Sequence, residues 1–467
     1  MIRLYIDWNV LAQMKNGQHQ ELLTIISNNE KFLKLFSTAH IGDIHSGYSG
    51  TPENEEQIRN DLLFLSSMTG DLCIYNNGKD IVVETYSPFS LFDQRKEPLL
   101  WATPFNLSEI NDNPQLLGKA LEYNQMLSRP IDGVLREALE NPQTAGGMQQ
   151  FYPGLSSDMT YGDLIRISME RFNSMNEGEA YKSMREMVQK GLNIPRDMLF
   201  DDQQPFKTIE KIYQSLPLAV EDRPGERPME HAPEWFGAIV NDYLKLDMHG
   251  YQEDKVSVGK GRKQTFKNLT NDAFHAAFAS CCDFYLTNDK KGYKKTNKVF
   301  EKLQVNTLVM KPDEFKAYYH KYLWITEPRE HLLAFLKILQ HGEYVLHDDE
   351  THMLRTFWLS HFLFDHFTRV HALYDKSTER WLYFLSKYKP TNGRWTFVAE
   401  IEQIISHLQS FLGDDLDGFG DFGTQDDLAE WRGRRWRLDV GAIIRLAFPN
   451  GWLQLYVDFD DEPPVQK

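Results

Sequence analysis

The chain has 467 residues, 41% hydrophobic and 25% charged, which is enough apolar side chain for two or three domains with real cores. Its formal net charge of -16 excludes a general coat for nucleic acid, because phosphate affinity comes from clustered Lys and Arg, so any polyanion site has to be a local basic patch. No run of about 18 apolar residues is present, which speaks against a transmembrane helix and a membrane partner. MIRLYIDWNV reads as a strand rather than a secretory or transit signal. Cys73, Cys281 and Cys282 make neither a disulfide framework nor a zinc site, so a reducing, cytoplasmic location is expected.

In chain order, IRLYI (2–6) predicts a buried strand ending at Asp7. Leu22, Leu23, Ile25 and Ile26 predict a helix over 18–28, and LKLFST (33–38) a second strand followed by AHIGDIHSGYSG. Ile58, Leu62, Leu65 and Met68 share one helical face, and DLCIY (71–75) is a third strand. This alternation of strand and helix favours a parallel α/β sheet. Residues 76–264 read as a large helical insertion, with helices at 115–127, 160–173, 177–190 and 233–246 and an exposed connection at 221–233. The α/β pattern resumes with a helix at 271–282, a strand at 283–287, a helix at 293–303 and a strand at 307–310. From about 326 an α+β module follows, with helices expected at 328–340, 351–373, 377–387 and 397–411. It ends in a hairpin turning at Pro449-Asn450-Gly451. The expected domains are therefore 1–75 with 265–325, the insertion 76–264 and the module 326–467.

In an open parallel sheet, ligands bind beyond the carboxyl ends of the strands. Asp7 and Asn9 follow the first strand there. Asp43, flanked by His40 and His45, follows the second. Thr287, Asn288 and Asp289 follow the fourth, and Asp272 opens the helix before it. Carboxylates packed together repel unless a cation neutralises them, and hard oxygen ligands suit Mg²⁺ or Mn²⁺.

The ordered set IDWNVL, STAHIGDI, DAFHAAFA, YLTND and TLVMKPDEF resembles the PIN-domain nucleases, over about 1–75 and 265–320. The resemblance implies a PIN-like parallel sheet with helices on both faces. It also implies hydrolysis of phosphodiester bonds dependent on Mg²⁺ or Mn²⁺, in RNA before DNA. By position Asp7, Asp43, Asp272 and Asp289 would form the catalytic, metal-binding set, supported by Asn9, Thr287 and Asn288. The second acid is commonly Glu in that family, and the long insertion departs from its pattern. Family analogy extends to a toxin-like or antiviral-defence role, and the additions suit a regulatory protein partner or a homo-oligomer. Two basic runs flank the acids, Lys260, Arg262 and Lys263 before Asp272, and Lys290, Lys291, Lys294 and Lys295 after Asp289. They are placed to lead a polyanion inward.

Plainer roles compete. Asp7 and Asp272 suit helix N-caps, Asp43 and Asp289 suit turns, and lysine runs are often solvated surface. His40, His45 and His275 suit hydrogen-bonded structural roles, although each could move a proton. A degenerate PIN-like scaffold that binds RNA or protein is the alternative function. A haloacid-dehalogenase-like phosphatase is another, weakened by Asn9 where its second Asp belongs. The His-rich 347–371 stretch lacks ligand spacing on one helical face, and DDLDGFGDFGTQDD lacks the spacing of a calcium loop.

Overall fold

A computed structural model describes residues 1–28, 31–96, 129–131, 133–141, 154–160, 163, 167, 179–214, 229, 231–253, 266–325, 327–388, 396–423, 426–427, 430–438 and 442–459. The chain divides into two compact units. One comprises 1–89, 228–240 and 274–467, and the other 90–227 and 241–273.

The first unit is mixed α/β and holds two sheets. In the first sheet the strands are β1 (Ile2–Ile6), β2 (Phe32–Ser37), β3 (Leu72–Asn76), β4 (Ile81–Thr85), β5 (Phe284–Leu286) and β6 (Leu308–Met310). Their order is β4-β3-β2-β1-β5-β6, and every pair is parallel except β3 with β4. Strand β1 is central and buried along its whole length, as a parallel strand covered on both faces should be. The chain runs outward from β1 to β2 on one side and returns as β5 on the other. The topological switch, where such sheets bind ligands, therefore lies between the ends of β1 and β5. Helices α1 (Trp8–Lys15), α2 (Gln20–Ile26), α3 (Thr38–Ser46) and α4 (Pro52–Thr69) connect the early strands. Strand β4 falls where the sequence reading began the helical insertion. Asn77-Gly78 turns the chain back there, and that hairpin signal was open to view in the sequence.

The second sheet is wholly antiparallel, in the order β11-β12-β13-β10-β9-β8-β7. Its strands are β7 (Tyr344–Asp348), β8 (His352–Leu363), β9 (Phe367–Asp375), β10 (Arg380–Ser386), β11 (Arg434–Arg437), β12 (Ile443–Ala447) and β13 (Gln454–Asp458). The helices expected at 351–373 and 377–387 are therefore strands, and the expected terminal hairpin forms between β12 and β13. The Pro328–His341 and Val398–Leu412 helices supply Phe335, Ile404, Ile405 and Leu408 to a core shared with Val370, Leu385, Trp436 and Leu455.

The two sheets are tied at the amino-terminal edge of β1. Arg3 donates to both Glu400 oxygens, Nε to Oε1 at 2.8 Å and Nη2 to Oε2 at 2.5 Å. Its guanidinium lies 3.9 Å from the centre of the Phe397 ring. Lys387 Nζ donates to Asp283 at 2.7 Å and to Glu400 at 3.2 Å. Burial works against the Glu400 carboxylate, but Arg3 and Lys387 outweigh it and hold the group well below the usual range.

The second unit is helical among its described residues and has a small core of Ile131, Leu139, Leu155, Met159 and Ile167. A buried Asp247 accepts from Tyr181 at 2.6 Å and faces Arg185 at 3.5 Å. Of the helices expected in the insertion, Glu179–Gly191 and Glu234–Met248 are present. The one at 115–127 lies outside the described residues, as does most of the one at 160–173. The three cysteines are free and buried.

Two predictions follow from these interiors. Glu400→Gln leaves Arg3 and Lys387 short of a counter-charge, and unfolding in denaturant should show a cost of about 3–5 kcal/mol; an unchanged midpoint would contradict the linking role. His331 is buried, neither ring nitrogen has a partner, and burial, aided by Lys31, pushes its pKa down to about 3. The unfolded chain takes up this proton near pH 6.5 and the folded chain only near 3, so stability drains as pH falls between those values. His331→Leu should flatten the fall by about 1.4 kcal/mol per pH unit, measured by urea titration from pH 7 to pH 4.5.

Candidate metal centre

Asp7 closes β1. It caps α1, and its backbone N–H continues the ladder to the Leu286 carbonyl at 2.9 Å. Its carboxylate is 8% exposed and accepts from the Thr287 hydroxyl at 2.7 Å, Asn9 Nδ2 at 2.9 Å and the Tyr285 hydroxyl at 3.3 Å. These donors do not offset the loss of water. Burial, with Asp43 and Asp289 adding repulsion, raises the Asp7 pKa against the pull of His275 and the Thr287 hydrogen bond.

Asp43 is delivered by α3, whose start is fixed by a reciprocal cap. The Ser37 hydroxyl accepts from the Ala39 N–H at 3.2 Å, and the Ser37 N–H donates to His40 Nδ1 at 3.0 Å. His40 Nε2 then donates to the carbonyl of Ile6 at 2.8 Å, pinning α3 to the end of β1. Its two partners fix the neutral Nε2–H tautomer, and burial, then His275, lowers its pKa to about 3. Asp43 lies one turn beyond His40 on the same helix.

The third member is His275, from the Phe266–Ala279 helix. Its Nε2 donates to Asp43 at 2.9 Å. Its Nδ1 meets the Tyr5 hydroxyl at 2.8 Å, which in turn meets Ser37 Oγ at 2.6 Å. Burial disfavours the charged ring, but attraction to Asp43 and the hydrogen bond it accepts from the ring, with Asp7 beyond, raise the His275 pKa. One ligand atom each from Asp7, Asp43 and His275 lie within 4.8 Å of one another, the grouping among the described residues that could hold an ion.

Of the four expected acids, two lie in this grouping. Asp7 and Asp43 converge. Asp289 instead caps the Lys290–Leu303 helix, accepting from the N–H groups of Lys291 and Gly292 at 3.0 Å each. It stays near enough to Asp7 to repel it. Asp272 is half-buried, three residues before His275, and is not a member of the cluster. Asn9, Thr287 and Asn288, expected in support, lie in one hydrogen-bonded group around Asp7. Thr287 holds Asp7, and Asn9 Oδ1 accepts from the Asn288 N–H at 3.2 Å while Asn288 Nδ2 donates to Gln13 at 2.9 Å. Asn9 is committed to Asp7, which leaves that position no general acid for phosphatase chemistry.

Of the basic residues, Lys290 and Lys294 are exposed, Lys291 is half-buried, and Lys295 is buried, which removes it from a phosphate-facing surface. Lys260, Arg262 and Lys263 lie outside the described residues. No described helix is long and apolar enough to cross a membrane. No protein-family model, no curated protein and no solved structure matches this chain.

Two carboxylates and an imidazole fit a divalent ion of intermediate softness. That donor set suits Mn²⁺ better than Mg²⁺, which prefers oxygen throughout. An ion there would take the place of the proton on His275 Nε2. By calorimetry, Asp7→Asn and His275→Ala should each weaken Mn²⁺ binding by at least tenfold to a hundredfold, and Tyr5→Phe by roughly that range, because it frees the imidazole to rotate. Asp289→Asn, which keeps a capping side chain, should bind like the parent. Loss of binding in Asp289→Asn with retention in His275→Ala would restore the four-acid arrangement.

Proposed function

We propose that this chain is a PIN-like, divalent-metal-dependent nuclease that hydrolyses phosphodiester bonds in RNA. The observation that carries the reading is the convergence of Asp7, Asp43 and His275 at the carboxyl edge of the parallel sheet, at its topological switch. A bound Mn²⁺ or Mg²⁺ would supply Lewis acidity toward a phosphoryl oxygen and make water a better nucleophile at neutral pH.

The protein's own residues do the rest. Asp7 and Asp43 supply the charge that attracts the ion. Thr287 and Asn9 fix the Asp7 carboxylate, and Tyr5 fixes the His275 ring. Lys290 and Lys294 stand exposed on the helix that starts at Asp289, where they would draw a polyanion toward the sheet edge.

The test uses structured and unstructured RNA and DNA with Mn²⁺ or EDTA. RNA should be cut with Mn²⁺ and spared with EDTA, and Asp7→Asn and Asp43→Asn should reduce cleavage to background. Binding of substrate without cleavage by the parent chain would favour a catalytically degenerate scaffold. Cleavage that survives both substitutions would place the chemistry elsewhere.

A further inference from the structure

Among the described residues one face of the second sheet packs on the core already described; on the other face His371, Ser386 and Gln454 are buried, while Leu382, Arg445 and Trp358 are exposed. Along each strand the side chains alternate, so Tyr383, Leu385, Ile444, Leu446, Leu455 and Val457 point into that core. Their neighbours form the opposite face, where Leu382, Phe384 and Tyr456 stand among Ser386, Arg445 and Gln454, more aromatic and apolar surface than a solvated sheet face usually carries.

One row runs across four strands in register: Arg445 on β12, Tyr456 on β13, Phe384 on β10 and His371 on β9. The rings of His371 and Phe384 stack at 4.4 Å between centres, with 15° between their planes. Phe384 and Tyr456 follow at 5.7 Å and 32°. The guanidinium of the exposed Arg445 lies 4.8 Å from the Tyr456 ring centre. Beside this row, Arg369 is held between two rings, 3.9 Å from Trp358 and 4.2 Å from Tyr388. Its Nε is buried without a hydrogen-bond partner. Trp358 is 54% exposed.

We propose that this open face is a stacking platform for single-stranded nucleic acid. The choice of ligand rests on the nuclease reading above, while the platform itself stands on the face's own geometry. Unpaired bases stack on aromatic side chains and on guanidinium planes, and they do so with little regard to sequence because every base has a π-face. Here a cation ends the row of rings at Tyr456 and another lies between Trp358 and Tyr388, and among the described residues both arginines sit on rings rather than on carboxylates. Each keeps a positive charge beside a place where a base could lie, which is where the phosphates of a bound strand would pass. Strand spacing sets the rings at regular intervals along one line, which suits an extended chain of bases better than a duplex, whose bases are already stacked. Aromatic and arginine side chains also serve protein interfaces, so a protein bound through these residues is an outcome that the test separates.

The test is fluorescence anisotropy with the full chain carrying Asp7→Asn, so that no probe is cut. The probes are labelled oligouridine, the matching oligothymidine and a duplex of the same length. Both single strands should bind better than the duplex, with the RNA and DNA arms deciding whether the sugar is read. Trp358→Ala and Tyr456→Ala should each weaken binding by roughly tenfold, while Trp358→Phe keeps most of it. Circular dichroism of each variant establishes that the sheet is intact. Equal affinity of parent and both alanine variants, or preference for duplex, overturns the proposal. So does failure of every oligonucleotide to bind while a folded protein binds through the same residues. Binding that depends on Trp358 in a chain whose parent cuts nothing upholds the platform and sinks the nuclease reading. RNA cleavage with binding indifferent to Trp358 and Tyr456 does the reverse.

Discussion

The Asp7 carboxylate, buried at the end of the central strand, is the constraint on which the rest depends. A carboxylate taken out of water is costly even with three hydrogen-bond donors, and here a second carboxylate and a third stand close enough to raise the cost. In the isolated protein the adjacent His275 donates its Nε2–H to Asp43, and the two carboxylates raise its pKa against the effect of burial. A divalent cation at the same point would replace that proton and satisfy both carboxylates at once. The Tyr5–Ser37–His40 network makes sense as the support for such a site. It joins β1, β2, α3 and the His275 helix through hydrogen bonds that leave little freedom to any ring.

The same strand anchors the opposite edge. Arg3, four residues before Asp7, binds Glu400 on the Val398–Leu412 helix that packs on the second sheet. The site and the second sheet are thus referred to one rigid element, β1. The second sheet and the Asp7–Asp43–His275 cluster belong to the same compact unit, as the proposed substrate-holding surface would require.

Much of the first sheet could be read directly from the sequence, because buried parallel strands are continuous apolar runs. IRLYI, FLKLFS, LCIYN and FYL all stand where apolar runs stop at polar residues. Asp7, Asp43, Asn9, Thr287 and Asn288 were legible for the same reason, since strand ends locate the ligand edge. The choice between Asp272 and His275 was not legible. Three residues apart on one helix, they share nearly one face, and only packing decides which reaches Asp43. Asp289 was ambiguous because the same position serves as an N-cap. The strands at 352–386 were misread as helices for a physical reason. Leu354, Trp358, Leu373, Leu382 and Phe384 occupy the open face, so apolar residues fall on both faces and the two-residue alternation that marks a half-buried strand is erased. The feature that hid these strands is the feature that makes their open face unusual.

The most direct measurement is anomalous diffraction from crystals grown with Mn²⁺, collected on the full chain. The account predicts a manganese peak bounded by Asp7, Asp43 and the Nε2 of His275, with that imidazole still held by the Tyr5 hydroxyl. A peak held by Asp272 or Asp289 in place of His275, or no peak at this edge of the sheet, would contradict it.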